Sequence, residues 1–195
     1  MQDSADWQAA WQPMVDAVGR DFGARLPEVW GEPIEAGAVA RYLEPLELAS
    51  PIHHDAAVAR SLGYRDIVVP YTALMTFSLP LMWRPGDAPL FDKDGRDAMP
   101  ARNPLGGARC GLEPPITNSF ATGWDTDFLQ PAVVGDRIRR RGLLLQGCRP
   151  KQTRVGRGAF INWQSEIIND RHELLARLRT TLFLYNPLTK TEPAT

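Results

Sequence analysis

The sequence predicts an α+β fold, an antiparallel sheet wrapped around a long apolar central helix. Three observations carry this. Residues 67–83 are a run of 17 without a charge, too rich in large apolar side chains for anything but a buried helix. After Ile116 the apolar period changes from helical to two and stays there through four segments. The chain has 195 residues, 44% hydrophobic and 23% charged, as expected of one ordinary globular domain spanning residues 1–195.

Taken in order, Trp7, Trp11, Met14, Val15 and Val18 recur at helical spacing behind a Ser4 cap, and Gly23 and Pro27 end that helix. Residues 1–27 are thus expected to be an N-terminal helical extension. Residues 28–34 read as a short strand that Pro33 confines to an edge. Residues 36–46 read as a helix with Val39, Tyr42, Leu43 and Leu46 on one side. The segment 48–55 is turn-like, Asp55 caps a helix over 56–62, and Gly63 stops it. Pro70 suits the first position of the long helix, on which Tyr71, Ala73, Leu74, Met75, Phe77, Leu79 and Leu81 cover every side.

Residues 84–115, rich in Gly, Pro and Asp, form a long loop, a place where function concentrates. Its apolar residues, Leu90, Phe91, Met99 and Leu105, are expected to cover the far end of a pocket. Phe120, Thr122, Trp124, Thr126 and Phe128 then share one strand face, and residues 131–135 turn the chain. Further strands cover 136–146, 159–167 and 174–184, in meander order with neighbours pairing antiparallel.

Composition excludes several classes. Twenty-two basic against 23 acidic residues is no nucleic-acid binder's balance. Two cysteines, Cys110 and Cys148, build neither a disulfide scaffold nor a cysteine-rich zinc site and fit a reducing cytoplasm. The N-terminus lacks the basic and apolar regions of a signal peptide, and the 17-residue run, broken by Pro70 and Pro80, is short for a membrane span. The expectation is a cytoplasmic protein with no membrane or nucleic-acid partner.

Several short motifs then resemble one family. Ser50-Pro51-Ile52-His53-His54-Asp55 resembles the N-P-L/I/V-H-x-D stretch of MaoC-like (R)-specific enoyl hydratases and hydroxyacyl dehydratases. Residues 56–74, ending in Gly63-Tyr64-Arg65-Asp66-Ile67-Val68-Val69-Pro70-Tyr71-Thr72, are similar to that family's run into its central helix. Phe128-Leu129-Gln130-Pro131-Ala132-Val133-Val134-Gly135-Asp136 resembles its F-x-x-P-V-x-x-G-D turn. Arg154-Val155-Gly156-Arg157-Gly158 before a long strand is similar to the N-terminal, FAS1-like dehydratase-domain subgroup. The resemblance spans roughly residues 31–185 and implies a hot-dog fold and acyl-thioester chemistry, with coenzyme A or an acyl-carrier protein bearing the substrate and no cofactor or metal.

The family's hydratase motif reads G-D-x-N-P-x-H. Counting back five residues from His53 puts Leu48 at the catalytic Asp position and Ser50 where Asn is usual. Hydration of a 2-enoyl thioester needs a base for water, an acid for the α-carbon and fixed donors for the developing enolate. The resemblance implies His53 as acid/base, backbone donors at the helix start from Val69 to Thr72, and substrate contacts from Ser50, Val69, Tyr71 and Thr72. Leu48 can move no proton. Glu44, Glu47, Asp125 and Asp127 are the nearby carboxylates, with the two aspartates opposite the aromatic face of their strand and so expected in solvent.

Plainer readings stand beside these: His53 and His54 as turn residues, Ser50 bonding its own turn, Tyr71 as core. Eight basic residues fall between Arg137 and Arg157. They read either as the solvated face of a strand pair or, through Arg149, Lys151, Arg154 and Arg157, as a phosphate-binding edge for coenzyme A or a carrier protein. Two function classes follow: a hydratase or dehydratase working as a homodimer or heterodimer of hot-dog subunits, or a non-catalytic hot-dog subunit that pairs with a catalytic one and shapes its acyl tunnel.

Overall fold

A computed structural model describes residues 6–26, 28–91, 94–95 and 109–188. Four long strands, β1 (Asn118–Phe128), β2 (Ile138–Gln152), β3 (Gly156–Asn169) and β4 (Leu174–Pro187), form one sheet. All pairs are antiparallel, in the order β1-β4-β3-β2. The expected meander holds for β2, β3 and β4 but not for β1, which lies beside β4. The reason is on the far side of β2. There the N-terminal segment takes the edge, with Gly19 and Phe22 N–H donating to the Leu145 and Leu143 carbonyls at 2.8 and 2.9 Å. Leu145 N–H returns a bond to the Arg20 carbonyl, and Gly31 N–H reaches the Ile138 carbonyl at 2.9 Å. The segment 28–34 expected as an edge strand is thus extended chain bonded to the start of β2 without forming a regular ladder.

The side chains of β1 do not share one face. The pairing slips between Ala121 and Gly123. Phe120 lies opposite Phe183 on the outer face, whereas Trp124, Thr126 and Phe128 lie opposite Thr180, Leu178 and Ala176 on the inner one. A one-residue bulge inverts the alternation, and period-two reading cannot detect it.

The inner face carries two apolar clusters. One joins Ile138, Ile167, Ala176 and Leu178 to Val39, Leu43, Val69 and Leu74. The other joins Leu145, Ile161, Trp163 and Leu184 to Trp11, Met14 and Phe22. The first long predicted helix is instead two pieces, α1 (Asp6–Ala9) and α2 (Gln12–Asp16), because Pro13 can start a helix but not continue one. Helix α3 (Ala36–Leu43) ends in a 3-10 turn around Pro45 that leaves Leu46 exposed. Helix α4 (Ala56–Ser61) is capped as expected: Asp55 Oδ1 accepts Ala57 N–H at 2.7 Å, and Gly63 closes it at φ 90°.

The long central helix is corrected. A 3-10 turn over Tyr71–Ala73 leads into α5, which covers only Leu74–Phe77. Ser78 Oγ bonds back to the Met75 carbonyl, and Pro80 disfavours helix at Leu79. One side, with Ala73 and Leu74, is buried, while Tyr71, Leu79, Leu81 and Trp83 stand exposed. Among the described residues no helix is long and apolar enough to cross a membrane. In the long loop Cys110 is buried and Glu113 accepts the Cys110 and Gly111 N–H groups, each at 2.8 Å. Phe91 is exposed, while Met99 and Leu105 lie outside the described residues.

Candidate functional site

His53 closes a 3-10 turn, Pro51–His53, whose first bond runs from His53 N–H to the Ser50 carbonyl. The turn is tied to the approach to α5, where Val68 N–H donates to the Ile52 carbonyl at 2.9 Å and His53 Nδ1 lies 2.7 Å from the Val68 carbonyl. A carbonyl only accepts, so Nδ1 carries the proton and the neutral ring presents Nε2 as an acceptor. The Val68 carbonyl is itself held firmly. Val68 bridges Val133, Val69 N–H donates to the Ala132 carbonyl, and Val134 N–H to that of Ile67. Beneath them Asp136, 2% exposed, accepts from Val133 N–H, Arg65 and Arg171 at 3.0–3.1 Å. This buried carboxylate ties the Arg65 loop to the Gly135-Asp136 turn and so sets where His53 sits.

After Val68 the chain turns at Pro70 into the short helix. The Tyr71 ring lies 5.1 Å from that of Phe128. Phe128 and Trp124, at 44% and 54% exposure, extend the inner face of β1 past the cover that α5 provides. His53 is half-buried beside this apolar, partly open surface.

The other expected members sit differently from one another. Val69 is wholly buried and its N–H donates to the Ala132 carbonyl, so it offers no free donor. Tyr71 and Thr72 are exposed, and as the first residues of their turn their N–H groups have no backbone acceptor among the described residues. Ser50 makes no side-chain bond to its own turn. His54 Nε2 meets the Leu48 carbonyl at 2.8 Å, and both residues face an apolar cavity of about 600 Å³ that Glu44 and Glu47 also line.

Among the described residues no carboxylate bonds His53 in place of the missing Asp. The ring's only hydrogen-bond partner among the described residues is Val68. Asp127 is held by Arg179 at 2.7 and 2.9 Å on the outer face, with Asp125 3.5 Å from the same guanidinium. Arg179's hydrogen bonds keep the Asp127 carboxyl below the usual carboxylate range.

The proposed phosphate edge also comes apart. Arg149 and Lys151 project from the outer face, Arg149 stacking 5.5 Å over Phe160. Arg157 points inward and bonds Gln152 at 3.0 Å, while Arg154 sits in the β2–β3 turn. Strand alternation has split the cluster between two faces, and Arg149 stands eleven residues along β2 from Ile138, roughly 35 Å away at strand rise. Three of the remaining four pair locally: Arg137 with the Gly31 carbonyl, Arg139 with Glu28 and Trp30, Arg141 with Glu166. Sequence reasoning missed Asp136 as the anchor of the site, although Gly135-Asp136 stands in the quoted turn motif. It also missed Arg140, which looks like one basic residue among many. Both cysteines are unsuited to nucleophilic work: burial pushes the Cys110 thiol up and that of Cys148 to about 11. Among the described residues no three His, Cys, Asp or Glu side chains gather to hold a metal.

Comparison with known proteins adds the following. The model of the FAS1-like dehydratase domain region matches residues 18–178. No curated protein matches in sequence. Among solved structures, the ChsH1-ChsH2 complex from Mycobacterium tuberculosis is similar at 20% identity and a TM-score of 0.61, over 95% of this chain and 94% of that one. A MaoC-like dehydratase is similar at 17% identity and a TM-score of 0.55, over 89% of this chain but 43% of that one. The (R)-hydratase from A. caviae involved in PHA biosynthesis is similar at 16% identity and a TM-score of 0.52, over 87% and 96%. The fold these structures share with the chain is the hot dog.

Proposed function

The chain belongs to the FAS1-like dehydratase domain family of MaoC-like hot-dog proteins, and on that premise we propose that it adds water to, or removes it from, 2-enoyl and 3-hydroxyacyl thioesters as one subunit of a hot-dog dimer. The observation that carries the reading is the fixed His53 ring, with Nδ1 tied to Val68 and Nε2 turned into an acceptor. In the hydration direction Nε2 takes a proton from water, the water oxygen bonds the β-carbon, and the electron pair moves onto the thioester oxygen. The N–H groups of Tyr71 and Thr72 hold that oxygen, and as the enolate collapses the α-carbon takes the proton back from Nε2, which restores the neutral imidazole. Tyr71, Phe128 and Trp124 wall the acyl group. Coenzyme A or an acyl-carrier protein carries the substrate, and the reaction needs no cofactor.

The uncovered apolar surface of α5 and β1 supports the dimer, since monomers seldom leave so large a patch open. One of the similar solved structures is itself a two-protein complex. Leu48 favours a second reading, that of a non-catalytic subunit shaping a partner's acyl tunnel, because it leaves His53 without a carboxylate partner among the described residues.

The test is hydration of a 2-enoyl-CoA by the purified chain and by the chain assembled with a candidate hot-dog partner. His53→Ala in the active form should lower the rate about 100- to 10,000-fold. An active assembly indifferent to His53→Ala supports the non-catalytic reading. Full activity of the isolated chain that survives His53→Ala contradicts both.

A further inference from the structure

Where the two apolar clusters of the inner face meet, a seam of mixed polar and apolar side chains crosses the sheet. Thr126, Leu178 and Ser165 face one another across β1, β4 and β3, and Trp124, Thr180 and Trp163 do the same one place along. The seam opens at Trp124 on the β1 edge and closes against β2 at Arg140, which lies opposite Ile167 on the same face. Its ends lie three strand spacings apart across the sheet and four residues apart along it, roughly 20 Å in all.

Arg140 is anomalous there. Its neighbours Arg139 and Arg141 each have a carboxylate, Glu28 at 3.4 Å and Glu166 at 2.9 Å. Arg140 has one hydroxyl: its guanidinium donates to Ser165 Oγ at 3.2 Å, and its Nε is buried without a partner. Burial alone lowers its pKa, and no carboxylate counteracts this. Trp163, 2% exposed, likewise has an indole N–H with no acceptor. Buried donors are ordinarily satisfied and buried charges paired, so two donor groups left wanting an acceptor on one face, the Arg140 Nε and the Trp163 indole, point to an acceptor that arrives with a ligand. One guanidinium flanked by neutral donors suits a monoanion, and its planar fork matches a carboxylate.

We infer that this seam is an anion-recognition site in which Arg140, assisted by Ser165 and Trp163, takes a carboxylate carried by the acyl group of the substrate. The word acyl rests on the function proposed above; the site itself does not. Arg140 is thereby a specificity-determining residue, selecting acyl thioesters with a second, free carboxylate over plain alkyl ones.

The test titrates the full chain calorimetrically with hexanoate and with its neutral counterpart hexanamide, and reads no catalysis. Hexanoate should bind at least about tenfold tighter, as expected for a hydrogen bond to a charged group. Arg140→Met should erase that preference while raising the Tm of the ligand-free protein, because an unpaired buried charge is removed. Arg140→Lys should retain part of the preference. Equal binding of hexanoate and hexanamide overturns the inference, as does a lowered Tm of ligand-free Arg140→Met. Inorganic phosphate binding tighter than hexanoate, and lost in Arg140→Met, overturns the carboxylate in favour of the carrier's phosphate. A chain inactive on every enoyl thioester that still prefers hexanoate through Arg140 refutes the proposed reaction and leaves this site standing.

Discussion

Along β2 the sheet's edge is closed by the chain itself. Residues 19–22 bond to Leu143 and Leu145, Gly31 bonds to Ile138, and Asp21 Oδ1 clasps the Gly23 and Leu143 N–H groups at 2.7 Å each. Along β1 no strand or segment among the described residues does the same. That strand is exposed over nearly its whole length while showing Trp124 and Phe128 on its inner face and Phe120 on its outer one. Edge strands are usually blunted by charge, proline or a cover. Here the charged residues, Asp125 and Asp127, are drawn outward by Arg179, so the inner side stays apolar. One edge is finished within the fold; the other is left open among the described residues and, in the dimer proposed above, is finished by another subunit.

The difference predicts opposite responses to substitution. Phe128→Asp should leave the fold intact and weaken assembly more than about 100-fold, near 3 kcal/mol, as measured by sedimentation over a dilution series. On the β2 side Gly31→Ala should leave assembly alone and destabilise the fold by about 2–3 kcal/mol, because the added Cβ meets the Phe77 carbonyl oxygen and, at 3.0 Å, that of Ile138. Denaturant unfolding reads this directly. Asp21→Ala removes the clasp and should lower stability by about 1–2 kcal/mol, a Tm drop of about 2–8 °C for a chain of this size.

The smallest effect belongs to the outer face of β1. Asp127 has its pKa lowered in the folded state by Arg179, so its contribution is fully present above the unfolded carboxylate value near 4 and lost as pH falls through the folded one. Any Tm gap between wild type and Asp127→Asn should hold from pH 7 to about 5 and close below about 4. A gap that widens on acidification would show that another group carries it.

The same contrast explains what the sequence made legible. The antiparallel strands were readable because a sheet covered on one face alternates, and β2, β3 and β4 are adjacent in sequence as well as in space. The Asp55 cap and the Gly63 stop are local and were equally plain. The position of β1 was not, because it depends on which edge of β2 the N-terminal segment occupies, a contact more than a hundred residues away in sequence. The bulge at Ala121 and Gly123 leaves no compositional trace. Residues 67–83 read as a helix buried on all sides because apolar side chains left exposed have the same composition as a core; Ser78 and Pro80 were the signs that it stops early. At the candidate site, the local motif pointed to His53. Its supporting carbonyl from Val68, the Asp136 anchor and the isolation of Arg140 are products of tertiary contact, invisible to spacing.

The unfinished β1 edge is the claim on which the account turns, and sedimentation velocity of the wild-type chain at micromolar concentration, alone and co-expressed with candidate hot-dog partners, tests it most directly. The account predicts a dimer, homomeric or heteromeric, that Phe128→Asp dissociates. A monodisperse wild-type monomer under both conditions would contradict it.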